Sequence, residues 1–300
     1  MGSQGIGVEF HAQGVRVARV RASAKGIQVQ HAAEASFPQG TVLTSLEADA
    51  VPKEVAAMLD PRYFSGWETT AVVDHPSVFF SVFRLAAGFT DELKTGIRWY
   101  AEQYVPYPVD QAAVDFQVQD SPYGGQKSVS LVVLQKAVVG KVMELMPPKR
   151  VKLRRIDGVP YAVHRLYQVL VAGEGELVEP AVVVHAPGSN GYVFVTNRGR
   201  LEPVRHVRLG RGILVSLPAK VRQTCQYYEA HHPTESIRAV YATLPTLAID
   251  GVREALAAEL GLEVRALDLA AHATFAGSKE APEPGEGWAE KYTLAVGAAL

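Results

Sequence analysis

The chain opens on three short runs in which apolar and polar residues alternate, at 6–10, 15–20 and 27–35, broken at His11-Ala-Gln-Gly14 and Ser23-Ala-Lys-Gly26. Alternation of period two between glycine-containing breaks predicts a β-meander. The same three runs and two breaks return at 181–185, 192–196 and 201–209, with breaks at Pro187-Gly-Ser-Asn-Gly191 and Asn197-Arg-Gly-Arg200. A period this long is no solenoid; two copies separated by helical segments predict a duplicated, two-lobed α/β protein.

Between the copies the period changes. Leu93, Ile97, Tyr100, Ala101 and Tyr104 recur at helical spacing, with Thr90 as N-cap and Pro106 and Pro108 ending the helix. That stripe places Tyr100 and Tyr104 in the core, with Trp99 and Gln103 on the adjacent face. Val114, Phe116 and Val118 then alternate as a strand, followed by a strand at 129–134, a helix at 137–146, a basic strand at 151–156 and a helix at 160–170. After the second meander come a helix at 214–228, a buried strand at 237–242, an amphipathic helix at 249–260 ended by Gly261, and a strand at 263–267. Residues 276–290, rich in Gly, Pro and Glu, read as a mobile loop, and the apolar end at 292–300 as a return to the core.

With 300 residues, 48% of them hydrophobic, the chain can bury a sizeable core. A formal charge of −1 gives no global attraction to nucleic acid. The lone Cys225 has no partner for a disulfide or a thiolate metal site, which fits a reducing cytoplasm. No signal peptide and no apolar run of about 18 residues is present, so the expectation is a protein neither exported nor spanning a bilayer, held at a membrane only by a partner.

The string Ile97-Arg-Trp-Tyr-Ala-Glu-Gln-Tyr-Val-Pro-Tyr-Pro-Val-Asp110, followed by Asp115-Phe-Gln-Val118, resembles a segment of the PilM-like family, actin-like proteins of type IV pilus assembly related to the L-type proteins of type II secretion. Ile156-Asp-Gly-Val-Pro-Tyr-Ala162, Val221-Arg-Gln-Thr-Cys-Gln-Tyr-Tyr228 and Leu294-Ala-Val-Gly-Ala-Ala-Leu300 fall in family order, so the resemblance spans nearly the whole chain. It implies an actin-like, ribonuclease H-like duplicated fold. The first lobe is expected at 1–160 with an inserted α/β subdomain at 77–157, and the second at 161–300.

The resemblance also implies where a nucleotide site would lie. The family's Asp-x-Gly-Ser-Ser-Ser-x-Lys loop aligns with Glu9 to Arg16, which keeps a carboxylate at Glu9 and a cation at Arg16 but puts His11, Ala12, Gln13 and Gly14 between them. The second Asp-x-Gly aligns with His185, Ala186 and Pro187, leaving Gly188 and Ser189 as a residual anion nest, with Gly210 a further position of the site. A neutral imidazole is no acidic partner for Mg²⁺, and proline removes an N–H donor. The glycine pair expected on the adenosine side falls at Ala242-Thr-Leu-Pro245, which has no glycine. The reading is a degenerate site with no catalytic residue and no cofactor, against the alternative that Mg-ATP still binds and switches partner affinity.

By resemblance the partner is the cytoplasmic tail of a PilN-like bitopic inner-membrane protein, held in a first-lobe groove beside the helix at 93–104, with Trp99, Gln103 and Tyr107 as contacts. Lys149, Arg150, Lys152 and Arg154 form a basic surface, either a solvated strand face or one facing anionic lipid or an acidic partner. Arg198, Arg200, Arg205, Arg208 and Arg211 form a second cluster. His206, His231 and His232 accompany no metal motif, and neither a Gly-x-Ser-x-Gly elbow nor a P-loop occurs. The function expected is a cytoplasmic scaffold of a type IV pilus or related secretion assembly, peripheral at the inner membrane, with the cytoplasmic region of a type II secretion L-type protein as the alternative.

Overall fold

A tight hairpin begins the structure, because His11 pairs with Gly14 and leaves only Ala12 and Gln13 to turn. The computed structural model describes residues 3–23, 26–46, 51–86, 93–120, 126–146, 150–173, 179–187, 190–210, 212–276 and 287–300. In chain order, β1 (Ser3–His11), β2 (Gly14–Ser23), β3 (Gly26–Ser36), α1 (Lys53–Met58), α2 (Pro61–Phe64) and β4 (Thr69–Val73) precede an insertion. The insertion holds β5 (Phe79–Ala86), α3 (Leu93–Glu102), β6 (Ala112–Asp120), β7 (Gln126–Gln135) and α4 (Lys136–Leu145). β8 (Leu153–Gly158) and α5 (Val159–Gly173) lead to β9 (Ala181–His185), β10 (Asn190–Asn197), β11 (Arg200–Arg208), α6 (Ile213–His231) and β12 (Ala239–Thr243). The rest comprises α7 (Leu244–Leu247), α8 (Val252–Leu260), β13 (Val264–Leu267), α9 (Leu269–His272), β14 (Ala273–Phe275), α10 (Trp288–Lys291) and α11 (Thr293–Ala299).

Two sheets share one topology. The orders β3-β2-β1-β4-β8 and β11-β10-β9-β12-β13 match strand for strand, antiparallel through each meander and parallel beyond it. The duplication in the meanders therefore extends across both sheets. Central strands β4, β9 and β12 are buried at every residue, as parallel strands covered on both faces must be. β14 adds to the first sheet, parallel to β3, so a strand from late in the chain completes the earlier sheet.

The chain end also packs on the first sheet. Every residue of α11 is buried, and its backbone approaches β1 and α5 at positions where only glycine fits. A Cβ on Gly7 would stand 1.8 Å from the Ala295 carbonyl oxygen, and one on Gly297 2.4 Å from that of Ala162.

The insertion is a three-stranded antiparallel sheet, β5-β7-β6. Ile97, Ala101 and Val105 pack with Val129, Leu131 and Val133, so α3 covers one face. Alternation along β7 turns Ser130, Val132 and Leu134 to the other.

Some expectations are corrected. Tyr104 is 52% exposed rather than core, because it stacks on Phe79 past the end of α3. The helix expected at 249–260 is α8 alone, preceded by α7 and the left-handed Gly251 (φ 73°). Within the expected mobile loop, Trp288 already begins α10. Residues 277–286 and Thr90 lie outside the described residues. α1, α2, β4 and β5 carried no expectation from sequence.

Candidate functional site

The β1–β2 hairpin, the end of β9 and the β12–α7 junction meet at a cleft of about 480 Å³. Among its lining are Glu9, His11, Gln13, Arg16, Asp74, His185, Pro187, Pro245 and Lys291. The fold thus brings together Glu9, Arg16 and His185 from the expected site. Gly14 and Gly210 do not line the cleft. A Cβ at Gly14 would come 2.2 Å from the Ala35 carbonyl oxygen, so its glycine serves the β2–β3 crossing, whereas Gly210 faces open space. Gly188 and Ser189 lie outside the described residues.

Glu9 is 3% exposed; its Oε1 accepts from Arg16 Nη1 at 3.2 Å, while Oε2 is buried without a hydrogen-bond partner among the described residues. Burial outweighs the pull of Arg16 and pushes the carboxyl up to about 8. Arg16 Nε donates to Glu34 Oε1 at 2.9 Å, and Lys291 pairs with Glu34. Glu9, Arg16, Glu34 and Lys291 therefore form a polar chain tying the first meander to α10. No sequence pattern announces it, because Glu34 and Lys291 meet only through the return of the chain end.

The hairpin backbone is engaged internally. Gln13 N donates to His11 Nδ1 at 3.3 Å, and Gln13 O accepts from Phe37 N at 2.8 Å. Burial, with Arg16 nearby, pushes His11 down to about 4, so the ring is neutral near pH 7 and Nδ1 can accept. The opposite side is closed likewise. His185 Nδ1 lies 2.9 Å from Thr243 Oγ1, which is 3.0 Å from Thr246 Oγ1, and Ala186 N donates to Thr246 at 2.7 Å. Burial holds His185 at about 4.

Tested against this geometry, the described residues of the cleft do not fit Mg-ATP. Phosphate binding on hairpins needs free N–H groups and small side chains. Here the Gln13 and Ala186 N–H groups are occupied, prolines face the cleft, and the Glu9 carboxyl is buried against Arg16.

A larger groove, about 730 Å³, lies between β6, the face of β7 opposite α3, and β8. β6 and β8 are edge strands of their sheets. Val132, Leu134 and Ile156 give the groove apolar surface, and Asp115, Arg155 and Arg165 polar surface. Arg165 is held there by Asp157 Oδ2 at 2.8 Å and the Gly297 carbonyl at 3.0 Å.

Of the expected partner contacts, Trp99 (65% exposed) and Gln103 do not line this groove, and the Tyr107 hydroxyl donates to Ser77 O at 2.8 Å. Burial pushes that phenol up to about 12. In the first basic cluster, Lys152 and Arg154 both pair with Glu68, at 2.8 and 2.7 Å, and hold its carboxyl at about 2. Arg150 is exposed, and Lys149 lies outside the described residues. His232 is buried, stacked on Tyr228 beside Glu202 and Glu235, and Arg84 of β5 reaches it and the His231 carbonyl, which docks the insertion on the second lobe.

Two sheets of identical order, joined through α5 and α11 with a subdomain inserted in the first, define an actin-like fold. No protein-family model matches the sequence. Among solved structures, the chain is similar to one described as the PilM-PilN type IV pilus biogenesis complex, with TM-score 0.68 and 16% identity over 98% of this chain and 97% of that one. It is also similar to a Bacteroides thetaiotaomicron protein of actin-like ATPase fold and unknown function, at TM-score 0.53 and 9% identity, covering 88% and 90% of the chains. The cytoplasmic domain of EpsL, an inner-membrane component of the Vibrio cholerae type II secretion system, matches at TM-score 0.49 and 8% identity over 80% and 82%. The resemblance read from the sequence thus holds at the level of the fold.

Proposed function

We propose that this chain is a binding scaffold of a pilus-type assembly, holding the cytoplasmic tail of a PilN-like inner-membrane protein in the groove between β6 and β8 without ATP hydrolysis. The observation that carries this reading is the groove itself, concave, partly apolar and flanked by two edge strands. Edge strands leave backbone N–H and C=O groups unpaired, so an extended segment can pair with one of them while its side chains enter the groove. The likeness to a structure whose own description names a PilM-PilN complex supports the partner class, and the occupied N–H groups of the cleft support a role independent of nucleotide. Such a partner would bring the chain to the membrane; among the described residues no helix is long and apolar enough to cross one.

Calorimetric titration with a synthetic peptide of a PilN-like cytoplasmic tail tests this. Ala113, in the groove wall on β6, is the position to block. Ala113→Arg is expected to weaken binding about tenfold or more, and Trp99→Ala to leave it unchanged. Undiminished binding by Ala113→Arg would sink the location.

A further inference from the structure

A second concavity, about 480 Å³, opens where the insertion meets β11 and α6. One wall is aromatic: Phe79 and Tyr104 stack with centroids 5.4 Å apart. The facing wall carries Arg205 and Arg208 from β11 and Lys220 from α6. Arg16, Arg154 and Arg165 each meet a carboxylate. Arg205, Arg208 and Lys220 form no ion pair among the described residues, and the Arg205 guanidinium lies over the Tyr227 ring at 5.2 Å from its centroid.

Three cationic side chains lining one concavity favour a counter-charge there. With a formal charge of −1 for the whole chain, this positive field is local. We propose that the groove binds an acidic peptide segment of a partner protein, with carboxylates on Arg205, Arg208 and Lys220 and an apolar side chain against the Phe79–Tyr104 stack. Arginine presents a planar fork suited to carboxylates, and the half-buried Phe79 with the exposed Tyr104 supplies the apolar anchor that a groove of this kind uses. A flat lipid surface does not enter a concavity between a subdomain and the second lobe. Nucleic acid needs a phosphate track longer than a single wall. This surface is separate from the β6–β8 groove and serves a second interaction.

The test is fluorescence anisotropy of the full chain with a labelled octapeptide alternating glutamate and phenylalanine. A lysine–phenylalanine octapeptide, phosphatidylglycerol vesicles and oligothymidylate serve as comparisons. The acidic peptide is expected to bind in the micromolar range at low salt, to weaken as salt rises, and to weaken at least about tenfold in the double variant Arg205→Glu with Lys220→Glu. The tail peptide of the first proposal should bind that variant as it binds the parent, which shows the variant is folded and keeps the two proposals separable. If the tail peptide fails, Arg208→Ala with a near-native thermal midpoint replaces the double variant, with the same expected weakening. Absence of binding to the acidic peptide, equal binding by the folded variant, or preference for the basic peptide, the vesicles or the oligonucleotide would overturn the proposal.

Discussion

At the residue scale, burial rather than pairing governs the titratable groups of the cleft. Four rings, His11 and His185 in the cleft with His164 and His232 outside it, stay neutral down to about 4 because the folded protein desolvates them. The unfolded chain protonates them near 6.5, so it binds more protons between those values and stability falls on acidification, by up to about 1.4 kcal/mol per pH unit for a fully buried ring. Glu9 acts in the opposite sense. Its folded value near 8 lies above its ordinary 4.5, so its contribution is lost as pH rises towards 8. Four rings outweigh one carboxyl below pH 6.5, and between 6.5 and 8 Glu9 pulls the other way, so these groups together favour folding most near 6.5. Urea midpoints at about pH 5, 6.5 and 8 should trace this dome, and Glu9→Gln should abolish the decline on the alkaline side. A variant that still declined there would place the cause elsewhere.

At the element scale, α11 shows what periodicity cannot express. Its apolar run announces burial, yet the backbone distances at Gly7 and Gly297 decide what buries it. Gly297→Ala drives a methyl into the Ala162 carbonyl and is expected to cost about 1–3 kcal/mol in chemical unfolding, as overpacking does. Gly140, within α4 and with open space where its Cβ would stand, should respond with the opposite sign, Gly140→Ala gaining about 0.5–1 kcal/mol. Equal responses at the two positions would mean that helix propensity rather than contact governs Gly297. The spacing of α3 was legible because one face is covered, which writes a period into the sequence, and the meander strands because glycine-containing turns bound them, although β9 is buried on both faces. β4 was not, since it too is buried on both faces and lies outside the two meanders.

At the scale of the whole molecule, the two lobes face each other across a cleft in which the Gln13 and Ala186 N–H groups already bond within the protein. Calorimetry with Mg-ATP to millimolar concentration is therefore expected to give no binding heat; micromolar, magnesium-dependent binding would make the cleft a working variant. The sequence by itself determined the duplicated meanders, the helix–proline–strand segment of the insertion, and the presence of His11 and Gln13 in the first hairpin and of His185 and Pro187 at the second, all of which are local in the chain. Tertiary structure alone decided that the chain end completes the first sheet, that Lys291 reaches Glu34, that Tyr104 stands exposed, and that two edge strands bound one groove while three cations line another. The physical reason is that a pattern along the chain records which side of an element is apolar, whereas the partner covering that side, and the cavity left between partners, depend on contacts between residues far apart in sequence.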